Sequence, residues 1–278
     1  MYILTIILWI LSIATSTTVL FTTGLYTEWY FILIFIAATP VLYIVWFLIY
    51  MLFVTILSLF CNKEEDVEKP NIFFYEIIRQ FFHQVFFFGR VKTIYNGLEK
   101  LPKERALYIS NHLSGYDSLV LLDKFSKQPF IPVSKMELKD MPVVGPLMVK
   151  AGFLMLDRAN AKQAVKTFQK AQNYINNDQS DVYICPEGTR SKTGEMLPFH
   201  AGSFKIAYKA NCPIVVLNLT NINKINKNLF KRKTVAIIDV LDVLYPEDYK
   251  DMNTQELAEK TRNMILEFQE SKKQIKAE

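Results

Sequence analysis

Two uninterrupted apolar stretches open the chain: Met1 to Thr27 and Trp29 to Asn62 contain no Asp, Glu, Lys or Arg, and Glu28 alone separates them. A helix rises about 1.5 Å per residue and the hydrocarbon core of a bilayer is about 30 Å thick, so either stretch is long enough to span it. Thr23-Gly-Leu-Tyr-Thr-Glu28 supplies a turn, and Pro40 is a point where the second helix can kink. The pattern predicts a membrane helical hairpin, residues 2–22 and 30–60, that either crosses the bilayer or enters one leaflet. A cleaved signal peptide does not fit, because the start lacks a basic segment and the apolar run is too long. Tyr26, Trp29 and Tyr30 are placed as interfacial anchors. Lys63 and Lys69 follow the second helix while the 23–28 turn has no basic residue, which puts the rest of the chain on the cytoplasmic face.

Residues 63–90 read as a charged linker, Lys63-Glu-Glu-Asp-Val-Glu-Lys-Pro70, followed by a segment with eight aromatic residues between Phe73 and Phe88. That segment predicts a helix lying either against the bilayer surface or in the core of the following domain. From residue 91 to 278 the texture is that of an α/β domain. Short apolar runs at 106–110, 130–134, 153–156, 182–185, 214–219 and 235–240 predict strands. Amphipathic stretches at 118–126, 137–150, 160–177, 203–210 and 254–272 predict helices. The alternation implies a mixed, largely parallel sheet flanked by helices.

Composition sharpens this division. The 278 residues are 51% hydrophobic and 21% charged, and all 32 Lys and Arg lie beyond residue 62 together with 26 of the 27 acids, a net +6 there. A purely soluble protein, a disordered chain and a disulfide-stapled domain are excluded. The basic balance fits anionic lipid surfaces or an acidic carrier protein, and with a membrane hairpin present nucleic acid is not expected as a partner. Cys61, Cys185 and Cys212 have no zinc or redox spacing, and the three histidines are scattered, so no metal is expected. The chain also lacks a GxxxxGK, a strand-linked GxGxxG and a GxSxG elbow, which argues against nucleotide kinases, dinucleotide oxidoreductases and serine hydrolases.

Four segments carry chemistry. In Asn111-His112-Leu-Ser-Gly-Tyr-Asp117, five helical steps would leave His112 and Asp117 about 140° apart, so only a strand-to-helix turn folds the carboxylate back onto the ring. Asp117 would then fix the tautomer of His112 and leave the other nitrogen as a general base. In Gly152-Phe-Leu-Met-Leu-Asp-Arg158 a strand delivers a guanidinium, whose planar fork suits a phosphate, to the sheet edge. In Pro186-Glu187-Gly188-Thr189-Arg190-Ser191, Gly188 permits close backbone approach and the next three residues are potential phosphate donors. The fourth, beginning at Pro213, is an apolar strand.

In this order the segments resemble the blocks of the glycerolipid acyltransferase family. NHxxxxD is matched by Asn111, His112 and Asp117, and Gly-x-x-x-x-Asp-Arg by Gly152, Asp157 and Arg158. The Pro-Glu-Gly-Thr-Arg-Ser block is matched by residues 186–191. The resemblance runs from about residue 90 to 240. It implies an enzyme that moves an acyl group from a thioester, acyl-coenzyme A or acyl carrier protein, to the free hydroxyl of 1-acyl-sn-glycerol-3-phosphate, giving phosphatidic acid for phospholipid synthesis. It makes His112 and Asp117 catalytic, and gives Arg158, Glu187, Gly188, Thr189 and Arg190 to the acceptor phosphate site, with no bound cofactor. Partners would be membrane lipids, a lysophospholipid acceptor and an acyl carrier protein as one form of donor. Glycerol-3-phosphate or another lysophospholipid as acceptor, and a non-catalytic lipid-binding protein, are the competing readings. The chain departs from the family at Cys185, where members often have Phe, and at Phe199-His-Ala-Gly202, where a Lys commonly replaces His200.

Overall fold

A computed structural model describes residues 3–122, 129–191 and 195–275. Helices α1 (Ile3–Thr22) and α2 (Phe31–Leu59) form the hairpin, joined through a short turn at Leu25–Thr27. Both are long and apolar enough to cross a membrane. Side chains such as Ile10, Leu33 and Ile36 are about 60% exposed on their outer faces, so these are not buried core helices of a water-soluble fold. Their contact carries hydroxylated residues, Ser12 and Ser16 on α1 and Thr39 on α2, beside the buried Leu8 and Leu20. Ser12 donates to Leu8 O and Thr39 to Ser16 Oγ, so the hydroxyls are satisfied inside the pair.

Helix α3 (Ile72–Phe88) starts after Pro70 because Asn71 caps it, its side-chain oxygen accepting from the N–H groups of Phe73 and Phe74. One side of this helix packs into the core of the following domain. Tyr75, Ile77 and Ile78 join the core, while Gln84 donates to Thr5 and accepts from Tyr43, both bonds 2.7 Å long, which pins the helix to the hairpin. Phe73, Phe87 and Phe88 remain exposed.

The domain is built on seven strands: β1 (Val91–Asn96), β2 (Leu107–Ser110), β3 (Phe130–Lys135), β4 (Leu154–Leu156), β5 (Asp181–Ile184), β6 (Ile214–Thr220) and β7 (Thr234–Leu244). Their order is β1-β7-β6-β2-β5-β3-β4, parallel throughout except where β7 meets β6. Strands β2 and β5 are buried at every position, as expected of central parallel strands covered on both faces. The remaining helices are α4 (Asp117–Leu121), α5 (Val144–Lys150), α6 (Ala161–Asn176), α7 (Lys205–Ala210), α8 (Asn223–Asn228), α9 (Pro246–Tyr249) and α10 (Thr254–Ile275). Helix α6 packs on β4 and β5, and α10 on β6 and β7.

The expected mixed α/β sheet behind a hairpin of apolar helices is what the chain forms, and the differences lie in the details. Strand β1 was not anticipated. It is an edge strand whose residues alternate between half-buried and exposed, so it lacks a continuous apolar run. The single helix expected over 137–150 is split into a 3₁₀ turn at Met136–Asp140 and α5. Between them Val143 has φ 63° and ψ −59°, and Val144 N–H bonds Pro142 O at 2.7 Å, a strained γ-turn. Gly145 is needed beside it, since a Cβ there would overlap the carbonyl of Lys139. The helix expected over 118–126 begins at Asp117, and positions 123–126 of that expectation lie outside the described residues.

The linker is held rather than loose. Lys63, Glu64, Glu65 and Asp66 pair in succession with Asp140, Lys139, Lys150 and Lys170. Farther along, a Cβ on Gly152, which has φ 89°, would lie 2.8 Å from Pro70 Cα. That glycine therefore serves the seating of the linker as well as the entry to β4.

Candidate active site

Strands β2, β5 and β4 all point their C-terminal ends to one edge of the sheet, and the segments that follow them bring the chemistry there. Register explains the first juxtaposition. Ile109 pairs with Ile184 on the neighbouring parallel strand, so residues just beyond, 110–112 and 185–187, emerge side by side. The end of β2 is fixed from its other flank as well. Asn111 donates to Leu219 O at 3.1 Å and accepts Leu219 N–H at 2.8 Å, a two-bond clamp onto β6.

After Asn111 the chain turns, and Asp117 comes back as the first residue of α4. Its Oδ2 lies 2.7 Å from His112 Nδ1 and also accepts the N–H groups of Leu113 at 2.7 Å and Ser114 at 3.0 Å. The carboxylate organises the whole loop and engages the His112 ring through Nδ1. Asp117 is 1% exposed, and its Oδ1 has no hydrogen-bond partner among the described residues. Burial works against the charged form of His112, but the Asp117 hydrogen bond and then the neighbouring Cys185 sulfur outweigh it, and the ring's pKa is pushed up to about 10.

Glu187 is buried, and it bridges two loops. Oε1 accepts His112 N–H at 2.7 Å and Oε2 accepts Leu197 N–H at 2.9 Å. Burial raises its pKa, and those two N–H groups oppose the shift. Both oxygens face inward as acceptors, so Glu187 positions the His112 backbone. Gly188, at φ 69°, lies against the His200 ring, where a Cβ would come within 2.9 Å of Cδ2. Thr189 and Arg190 turn outward and are exposed. Arg158 is exposed beyond the end of β4. It contributes, after a backbone N–H and Lys135, to holding the Glu137 carboxyl below its usual range. Three strand spacings separate β4 from β2, about 14 Å at the usual interval. The structure thus brings His112, Asp117 and Glu187 into contact, and sets Arg158 apart on the same edge.

Cys185 was noted in the sequence only as a departure from the family pattern. Its sulfur lies 3.0 Å from the Tyr183 hydroxyl, which in turn is 2.7 Å from Ser110 Oγ. A nitrogen of His112, an oxygen of Asp117 and the Cys185 sulfur fall within 4.8 Å of one another. Imidazole, carboxylate and thiolate are all ligand types that a divalent cation such as zinc accepts. The register of β2 against β5, which no local pattern in the sequence announces, puts 185 opposite 110.

A His–Asp pair, a backbone clamp and outward-facing cations gather at the C-terminal edge of an α/β sheet, where enzymes of this fold class bind their ligands. Comparison with known proteins gives that class a family. Residues 92–220 match the Acyltransferase family model. The chain is 33% identical to the 1-acyl-sn-glycerol-3-phosphate acyltransferase of Haemophilus influenzae over 181 residues, 62% of this chain and 74% of that one. It is 33% identical to the Escherichia coli protein of the same name over 58% of this chain and 65% of that one. The yeast (Saccharomyces cerevisiae) protein of that name is 30% identical over 62% of this chain and 57% of its own length. The crystal structure of the 1-acyl-sn-glycerophosphate (LPA) acyltransferase PlsC from Thermotoga maritima superposes with a TM-score of 0.56 at 20% identity, covering 78% of this chain and 87% of that one, and so shares the fold. The chain belongs to the acyltransferase family and is an enzyme of that class, with two apolar N-terminal helices that fit association with a membrane.

Proposed function

We propose that this enzyme acylates the free hydroxyl of 1-acyl-sn-glycerol-3-phosphate from a thioester donor, forming phosphatidic acid at the cytoplasmic face of a membrane. The observation that carries the reading is the 2.7 Å His112–Asp117 pair in a chain of this family. Nε2 of His112 takes the proton of the acceptor hydroxyl as that oxygen attacks the thioester carbonyl. The carbon–sulfur bond breaks, and the departing thiolate takes the proton from the imidazolium. No enzyme nucleophile, metal or cofactor enters this sequence. A positioned base of this kind contributes typically about 10²–10⁴-fold, and alignment of the two substrates supplies much of the remainder. Asp117 orients the ring, while Glu187 holds the His112 backbone from below. Arg190, Thr189 and the Gly188 backbone bind the acceptor phosphate, and Arg158 supplies a second guanidinium across the sheet edge. Lys63 and Lys69 after α2 support the cytoplasmic orientation.

The test is acyl transfer by the full chain in phospholipid vesicles, with acyl-coenzyme A or acyl carrier protein as donor and either lysophosphatidic acid or glycerol-3-phosphate as acceptor. The expected result is phosphatidic acid with release of one thiol per product. Acylation of glycerol-3-phosphate alone, or no product with either donor, would contradict the assignment.

A further inference from the structure

Helix α8 and the loop that leads from it to β7 carry a cluster that the chemistry above leaves unused. Lys224, Lys227, Lys231, Arg232 and Lys233 surround Phe230, and all six side chains are exposed, Phe230 to 66%. None of these five cations has an ion-pair partner among the described residues. The loop is not slack. Asn228 O accepts the N–H groups of both Lys231 and Arg232 at 2.8 Å, and its side chain donates to Thr234 at 3.1 Å. Phe230 itself has φ 61°, a conformation unusual for a bulky side chain, which holds the ring outward, away from any core.

The surroundings identify what the ring meets. Leu229 wedges against the end of α3, where a Cβ on Gly89 would overlap its Cδ1. Phe87 and Phe88, just before that glycine, are 46% and 44% exposed. The Phe88 ring packs edge-on against Tyr43 of α2 with centroids 5.7 Å apart. The basic loop is thus seated at the end of α3, next to the exposed Phe87 and Phe88 and the Phe88–Tyr43 contact with the hairpin. An acidic protein could satisfy the charges, but not an exposed aromatic tip on the side of the domain where α3 meets the apolar hairpin. An anionic bilayer satisfies both, with rings at headgroup level and cations among the phosphates.

We propose that the α8–β7 loop is a second membrane contact, in which Phe230 enters the headgroup layer and the surrounding Lys and Arg bind anionic phospholipid. The proposal rests on the membrane placement of the hairpin, and it adds a dependence on lipid charge that the hairpin alone does not confer. Hydrogen exchange of the full chain is measured in nanodiscs of phosphatidylcholine alone and of phosphatidylcholine with phosphatidylglycerol. Amides of residues 229–233 are expected to exchange several-fold more slowly in the anionic discs. That protection is expected to be lost in Phe230→Ser and in a Lys227→Glu/Lys231→Glu/Arg232→Glu variant, with the central strands unchanged. Equal exchange in both discs overturns the proposal, as does protection that appears only when an acidic acyl carrier protein is added. Acyl transfer is scored separately in the same discs, so failure of the catalytic assignment leaves the loop result readable.

Discussion

In the hairpin the buried set includes Thr5, Ser12, Ser16 and Thr39, while isoleucines, leucines and phenylalanines face outward. In the sheet domain the arrangement is reversed: Leu107, Ile109, Ile131, Val215 and Val216 are fully buried and most charges lie outside, Asp117, Asp181, Glu187 and Asp239 excepted. The two regions bury opposite chemistry because they answer to different solvents. In hydrocarbon, apolar surface has no reason to hide, so the seam selects small residues that let backbones approach. In water, apolar burial is the main stabilising term. Helix α3 belongs to both regimes, with Gln80 and Gln84 turned to the hairpin and Tyr75, Ile77 and Ile78 to the core.

The comparison breaks most sharply at the dyad, which belongs wholly to the water-facing domain. Asp117→Asn is expected to lower kcat/KM by about 10²–10⁴-fold and to leave membrane insertion intact. It should also move the acid limb of the pH–rate profile down towards the ordinary histidine value, which a rate series over pH will read. Glu187→Gln puts an amide N–H₂ against one of two backbone donors. Its cost in stability is expected at the upper end of about 1–3 kcal/mol, seen as a lower melting midpoint together with reduced kcat. Ser16→Leu tests the hairpin seam. Overpacking there costs about 1–3 kcal/mol, and here the lower end is expected because lipid-facing helices can shift apart. The pH dependence of the enzyme that remains folded should be unchanged.

Smaller effects separate the regions further. The raised pKa of His112 contributes stability that is fully present below about 6.5 and is lost as the pH rises through about 10. The wild type's melting advantage over a His112→Ala variant should shrink across that window. Smallest is the linker, whose four exposed ion pairs screen at high salt, where the Debye length falls to about 3 Å at 1 M. Tryptic cleavage at Lys63 should quicken modestly there, with no change in hairpin insertion.

How much of this could be read in the chain follows the same physics. The hairpin was legible to within a residue or so because a hydrocarbon environment demands unbroken apolar runs. The central strands were legible because burial on both faces demands continuous apolar segments. Strand β1 was not, since an edge position asks only for Val91, Thr93 and Tyr95 on one side. The break before α5 depends on Gly145 meeting the Lys139 carbonyl, a contact that no local pattern announces. His112 and Asp117 were found through their spacing. The place of Cys185 beside them, and the inward bridge made by Glu187, required the register of β2 against β5.

The most direct test of the central claim is kcat/KM for lysophosphatidic acid from about pH 6 to about pH 10, for wild type and His112→Ala in the same vesicles. If His112 is the base, the wild-type value climbs with pH along a limb whose midpoint lies above the ordinary histidine value of about 6.5, and the variant stays low and flat. A variant that matches the wild type in rate and in pH dependence would contradict the account.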